Sequence, residues 1–213
     1  MTASKDRLKP ASPISILDYG AGNLRSVENT LSEIGALYEL VRTPEEVLAA
    51  SALIFPGVGH FGQMMRALDE MQVRGALLDR IQSGVPVLGI CLGLQAFFAG
   101  SEEAPEVRGL GVFPEKIRRF RGDVRIPHMG WNSLEQTCET ACSTLLANLP
   151  ATPYVYFAHS YYAPVVDAAV ATCTYTVTYT AVIEAGNLFG VQFHPEKSGP
   201  LGLQIVKNFV ERC

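Results

Sequence analysis

Apolar and polar positions alternate along the first half of the chain in two rhythms. Ile14 to Asp18 is a short apolar run that ends in glycines, and Leu24, Val27, Leu31 and Ile34 then recur at steps of three and four. The first rhythm predicts a buried strand and the second an amphipathic helix. The alternation repeats. Tyr38 to Arg42 reads as a strand, and Thr43, Pro44 and Glu46 stand at N-cap, N1 and N3 of a capping box that opens a helix. Ala52 to Phe55 is a third strand and Val85 to Ile90 a fourth, separated by helical faces at Met64, Leu68 and Met71 and at Leu77, Leu78 and Ile81. Strands alternating with helices predict a parallel sheet covered on both faces.

The second half has a different texture. Gly111 to Phe120, Gly130 to Glu135, Tyr154 to Ala158, Val170 to Tyr179, Ala181 to Glu184 and Leu188 to Phe193 read as strands. Two helices are evident there, one of them closing the chain over Leu201 to Val210. In Val170 to Tyr179 the threonines 172, 174, 176 and 178 alternate with Cys173, Tyr175, Val177 and Tyr179, the period of an antiparallel strand with one polar face. Gly186-Asn187 supplies a hairpin turn. No internal repeat or linker interrupts the pattern, so the expectation is one α/β domain over 14–213, a largely parallel central sheet with antiparallel additions, behind a frayed polar leader at 1–13.

Composition narrows the function classes. The 213 residues are 48% hydrophobic and 18% charged, values of an ordinary globular protein. A net charge of −4 offers no general attraction to nucleic acid or to an anionic membrane surface. Ile81 to Ser101 is 21 residues without a charge, yet its glycines, Pro86 and glutamines break it into strand, turn and helix rather than a membrane span. Five cysteines without a CxxC pair fit a reducing, cytoplasmic address.

The candidate chemistry begins at Gly89-Ile90-Cys91-Leu92-Gly93, between a buried strand and a helical stretch, Leu94 to Ala99. A nucleophile on so sharp a turn needs flanking glycines, and a following helix favours the thiolate. A small cysteine packed between glycines is the alternative reading. A base is available in Phe193-His194-Pro195-Glu196: side chains two apart on an extended chain share a side, so Glu196 can orient His194. Pro56-Gly57-Val58-Gly59 follows the third strand and, with the Leu92 N–H, can supply oxyanion donors.

Weaker signals lead elsewhere. Gly20-Ala21-Gly22 lacks the third glycine of a dinucleotide loop, where Arg25 stands, so no nicotinamide cofactor is expected. Cys138 and Cys142 have no histidine nearby and are read as a helix-face pair rather than a metal site. Arg118, Arg119, Arg121 and Arg125 are read as a solvated hairpin edge, and His60, His128 and His159 as structural.

The elbow, the late His-Pro-Glu and the order Cys, His, Glu resemble the class I (triad) glutamine amidotransferases, which share a flavodoxin-like three-layer fold. Asp18-Tyr19-Gly20-Ala21-Gly22-Asn23, Pro56 to Gly59 with Phe61, and His128-Met129-Gly130-Trp131-Asn132 narrow the resemblance to the glutaminase subunits of imidazole glycerol phosphate synthases, over about Ile14 to Val210. The resemblance implies hydrolysis of L-glutamine to glutamate and ammonia, with Cys91 as nucleophile, His194 as general base and acid and Glu196 as orienter. It implies an oxyanion segment at Gly57, Val58 and Leu92, and glutamine held by Gln95, Ser160 and Tyr161. It also implies no cofactor and a heterodimer with a (β/α)₈ cyclase subunit, contacted through Asn23, Trp131 and Lys197. That subunit would use the ammonia to make imidazole glycerol phosphate and aminoimidazole carboxamide ribotide. The other readings considered are another class I glutaminase subunit, a thiol hydrolase of the dienelactone-hydrolase type, and a non-catalytic module of the same fold.

Overall fold

The computed structural model describes residues 12–20, 23–137 and 143–212. Most of the leader, the Ala21-Gly22 pair, Cys138, Cys142 and Cys213 lie outside them. In chain order the elements are β1 (Ile14–Leu17), α1 (Leu24–Glu33), β2 (Tyr38–Val41), α2 (Pro44–Ala49), β3 (Leu53–Gly57), α3 (Phe61–Glu70), α4 (Val73–Gln82), β4 (Val87–Cys91) and α5 (Leu92–Ala96). The second half adds β5 (Phe98–Ser101), β6 (Ala104–Arg108), β7 (Phe113–Arg119), β8 (His128–Ser133), β9 (Glu135–Gln136), β10 (Tyr154–His159) and β11 (Tyr161–Tyr162). It closes with β12 (Ala169–Thr174), β13 (Thr178–Ala185), β14 (Leu188–Val191), a 3₁₀ turn at Pro195–Lys197 and α6 (Gly199–Arg212).

The main sheet runs β2-β1-β3-β4-β14-β13-β12-β9. Its first five strands are parallel and the last three antiparallel. Apolar side chains cover both faces. One core gathers Val27 and Leu31 of α1 with Ile205 and Phe209 of α6; the other gathers Val47, Met64, Leu68 and Leu77 of α2, α3 and α4. The parallel part therefore has the helix-sheet-helix layering expected, and its order 2-1-3-4-5 places a ligand crevice at the C-terminal ends of the strands. The capping box forms as read, with Thr43 accepting from Glu46 N at 3.2 Å and Glu46 Oε2 accepting from Thr43 N at 3.1 Å.

Three expectations change. The helix after Cys91 stops at Ala96, and Phe98–Ser101 is a strand between β6 and β7 in a smaller four-stranded sheet, where the buried aromatic ring of Phe98 suits a pleated surface. The strand β6 carries Pro105 and is mostly exposed, an edge position with no hydrophobic signature. Val170 to Tyr179 is two strands, since Tyr175 N donates to Val177 O at 3.2 Å and the chain reverses into β13 without a glycine or proline to mark the place. The hairpin at Gly186-Asn187 joins β13 to β14 as predicted.

Two backbone approaches hold β4 and α5 against β3. A Cβ on Gly93 would run into the Phe55 carbonyl oxygen, and one on Gly57 would lie 2.6 Å from Gly93 N. Gly93→Ala is therefore expected to cost about 1–3 kcal/mol or more as an overpacking change. Urea unfolding checks it: a variant as stable as the parent would mean that the elbow does not press on β3.

Candidate active site

The nucleophile candidate closes β4. Cys91 has φ 55° and ψ −105°, a left-side conformation rare for a residue with a side chain, and the next residue begins α5. Such strain persists only where the surroundings fix it, and here Gly57 is the register partner of Cys91 across β3 and β4. The elbow and the Pro56 to Gly59 segment are thus parts of one tight junction. Cys91 is buried, as is Cys173, and both are free thiols. The helix behind Cys91 has only five residues, so its dipole is a weaker aid to the thiolate than a long helix would give.

His194 and Glu196 meet as the sequence suggests, Nδ1 to Oε1 at 2.8 Å, with side chains 4% and 3% exposed. The route differs. The chain does not stay extended past His194: Lys197 N donates to His194 O at 3.0 Å and Ser198 N to Pro195 O at 3.0 Å, so a 3₁₀ turn carries Glu196 back to the imidazole. Burial pulls the His194 imidazole down, but the charge on the Cys91 sulfur, the hydrogen bond to Cys91 and the bond and charge of Glu196 outweigh it and hold the group up at about 10. Cysteine, imidazole and carboxylate are therefore coupled in one buried line.

A cavity of about 240 Å³ opens over this line. Val58, Gly59, Cys91, Leu92, Gln95, Ser160, Tyr161 and His194 line it, bringing most of the expected site residues together. Gly57 does not border it and packs against the elbow at Leu92 and Gly93. Gly59 has φ +94°, a conformation that a side chain would resist. Gln95 Nε2 donates to Tyr161 O at 2.8 Å and to Gln192 Oε1 at 3.0 Å, and Gln192 Nε2 donates to Cys91 Sγ at 3.6 Å. Sequence reading missed Gln192, although it stands two residues before His194 just as Glu196 stands two after. It also missed Glu103, which lines the cavity and accepts from Phe61 N at 2.7 Å. Tyr19 is a third: burial pushes its hydroxyl up to about 12, while the backbone N–H of Val58 beside it opposes.

The histidines read as structural have definite places. His60 Nδ1 caps α3 by accepting from Gly62 N at 3.1 Å. His128 and His159 are buried, and both approach the Tyr179 hydroxyl at 3.3 Å. His159 also borders the cavity. The predicted contact residues separate: Trp131 is 54% exposed on β8 and Lys197 is exposed directly after the triad turn, whereas Asn23 is half-buried at the start of α1. The arginines 118, 119, 121 and 125 are exposed, Arg118 and Arg119 on β7, which pairs with β11. Among the described residues no helix is long and apolar enough to cross a membrane.

A strained cysteine at a strand-to-helix elbow, with a carboxylate-backed imidazole arriving from the neighbouring parallel strand, is the arrangement of a triad amidotransferase. The model of the class I glutamine amidotransferase family matches residues 15–213. The imidazole glycerol phosphate synthase subunit HisH of Thermosynechococcus vestitus is 45% identical over 205 residues, covering 94% of this chain and 97% of that protein. HisH of Acaryochloris marina is 47% identical, covering 93% and 94%, and HisH of Methanosarcina barkeri 42% identical, covering 94% and 98%. A solved glutamine amidotransferase superposes with a TM-score of 0.72 at 19% identity, covering 94% of this chain and 98% of its own. The chain belongs to the class I glutamine amidotransferases and, within them, to the family of HisH subunits of imidazole glycerol phosphate synthase.

Burial holds His128 and His159 down at about 4 and about 3, so both are neutral in the folded protein at neutral pH. Unfolding releases them to the ordinary value near 6.5, and the unfolded chain then binds more protons below that pH. Stability is expected to fall as pH drops from 6.5 towards 4, by at most about 1.4 kcal/mol per histidine per pH unit. His194, raised rather than lowered, acts oppositely: its contribution is complete below about 6.5 and fades as pH rises towards 10. Urea midpoints measured from pH 7 to pH 5 check the acid limb, which should flatten in His128→Gln; an equal slope in parent and variant would contradict the assignment.

Proposed function

We propose that this chain is the glutaminase subunit of an imidazole glycerol phosphate synthase, hydrolysing L-glutamine at Cys91 and passing ammonia to a cyclase subunit in histidine biosynthesis. The observation that carries the reading is the buried Cys91, His194 and Glu196 line beneath a cavity that Gln95, Ser160 and Tyr161 also border.

The Cys91 sulfur attacks the side-chain carbonyl carbon of glutamine. The oxygen takes the negative charge and is met by backbone N–H groups of Leu92 and of the Gly57-Val58 segment. The imidazolium of His194 protonates the leaving nitrogen as the C–N bond breaks, releasing ammonia and leaving a thioester on Cys91. His194, now neutral, takes a proton from water; hydroxide adds to the thioester and glutamate departs with the thiolate restored. Glu196 keeps Nδ1–H engaged, so that Nε2 is the nitrogen that faces the sulfur. Both amide hydrogens of Gln95 are committed to Tyr161 O and Gln192 Oε1, which leaves its own carbonyl oxygen to accept from the substrate's ammonium or amide N–H groups.

A face for the cyclase subunit, a (β/α)₈ barrel in this reading, lies beside the triad. Met129, Trp131 and Tyr154 are 57%, 54% and 55% exposed on the antiparallel pair β8 and β10, an apolar patch of the kind that marks a contact surface. Strand β10 is bound to the triad segment, His194 N donating to Tyr156 O at 2.9 Å and Tyr156 N to Ser198 Oγ at 3.0 Å. Lys197, exposed directly after the triad turn, and Asn23, at the start of α1, complete the proposed contact set. A partner seated there would press on the backbone that carries His194. The cytoplasm is the proposed compartment.

Glutamate release by the chain assembled with a cyclase-type partner tests the reading. Cys91→Ala and His194→Ala should lose on the order of 10⁶-fold, as in a serine triad, and Glu196→Gln less, on the order of 10⁴-fold. The Cys91→Ala assembly should still use free ammonia. Residual glutaminase activity in folded Cys91→Ala, or a ranking in which Glu196→Gln is worse than His194→Ala, would overturn these roles.

A further inference from the structure

We propose that Gln192 is a positioning residue that presents an N–H donor to the Cys91 sulfur, its polarity imposed from the far side of the site. The proposal rests on the reading of Cys91 as the nucleophile. Gln192 is fully buried and does not border the cavity, so it touches sulfur rather than substrate.

The direction of the chain of hydrogen bonds follows from its end. A backbone carbonyl only accepts, so the Gln95 atom 2.8 Å from Tyr161 O is its nitrogen. That nitrogen also approaches Gln192 at 3.0 Å, and a donor there requires the Gln192 oxygen. The Gln192 amino group is thereby left facing Cys91 Sγ, at 3.6 Å. Neither amide can flip without setting two donors or two acceptors against each other in a buried site, which is costly. The sulfur thus meets a fixed donor besides the imidazole, and hydrogen bonds to an anion favour the anion.

Other groups bear on the same sulfur. His194, backed by Glu196, reaches it from the segment after β14; Tyr19 lies near it from the loop after β1 and Tyr179 from β13; Glu103 borders the cavity. Tyr19 and Tyr179 are pushed up by burial and stay neutral, so neither adds a charge beside the sulfur.

The test uses the full chain assembled with its partner and the variants Gln192→Met, which keeps length without a donor, and Gln192→Asn, which draws the donor back by one methylene. Iodoacetamide labelling of Cys91 is followed by mass spectrometry from pH 4 to pH 9 on protein whose far-UV circular dichroism matches the parent. One charge-assisted hydrogen bond corresponds to about tenfold or more in an acid dissociation constant. The midpoint of the labelling-rate profile should rise by about one pH unit in Gln192→Met and by less in Gln192→Asn, with kcat falling and KM for glutamine nearly unchanged. A purely structural role would lower activity without moving that midpoint. Parent-like midpoints in whichever of the two variants fold, or failure of both to fold, would overturn the proposal. Full glutaminase activity in parent protein alkylated at Cys91 would instead overturn the nucleophile reading.

Discussion

The close packing of the elbow on β3 is the constraint on which the site depends. Gly93 lies against the Phe55 carbonyl and Gly57 against Gly93 N, so β4 can turn into α5 only in one tight path, and Cys91 is left at φ 55°. Strain of this kind costs about 1–3 kcal/mol and is sustained by the parallel pairing of β3, β4 and β14 around it. The same pairing that fixes the cysteine also sets the strand from which His194 emerges. One sheet edge thus brings together the residues proposed as nucleophile, oxyanion segment and base.

Electrostatics then distinguish the titratable groups by environment. Three histidines are buried; burial drives His128 down and, helped by the nearby charges of His128 and His194, His159 as well, whereas His194 is driven up because a sulfur and a carboxylate share its pocket. The polar chain from Tyr161 O through Gln95 and Gln192 continues the arrangement beneath the cavity floor. On the other side, β10 connects the triad segment to an exposed apolar face through two hydrogen bonds at Tyr156, one with the His194 backbone and one with the Ser198 hydroxyl. The triad segment and the exposed apolar face are therefore separated by a single strand, a short mechanical route for the partner proposed to sit there.

Much of this was legible in the sequence because the signals were local. The capping box at Thr43, the glycine-flanked cysteine and the His-Pro-Glu each need only a few consecutive residues, and the α/β alternation follows from hydrophobic period. What escaped was set by tertiary context. The strand β5 looked helical because Phe97 and Phe98 are apolar in either state, β6 is an exposed edge with no pattern to read, and the reversal at Tyr175–Val177 carries no turn residue. Gln192 was hidden differently: a polar residue beside a catalytic motif has no distinctive spacing of its own, and only the partner Gln95, 97 positions away, reveals its role. The His194 to Glu196 contact was foreseen from an extended backbone and is reached by a 3₁₀ turn instead.

The central claim is that Cys91 is a glutamine-directed nucleophile. Treating the intact chain, with its partner, with an electrophilic glutamine analogue and mapping the adduct by mass spectrometry tests that claim most directly. The account predicts a single covalent adduct on Cys91, suppressed by excess L-glutamine and absent in His194→Ala. An unmodified Cys91, or labelling of another cysteine that glutamine does not suppress, would contradict it.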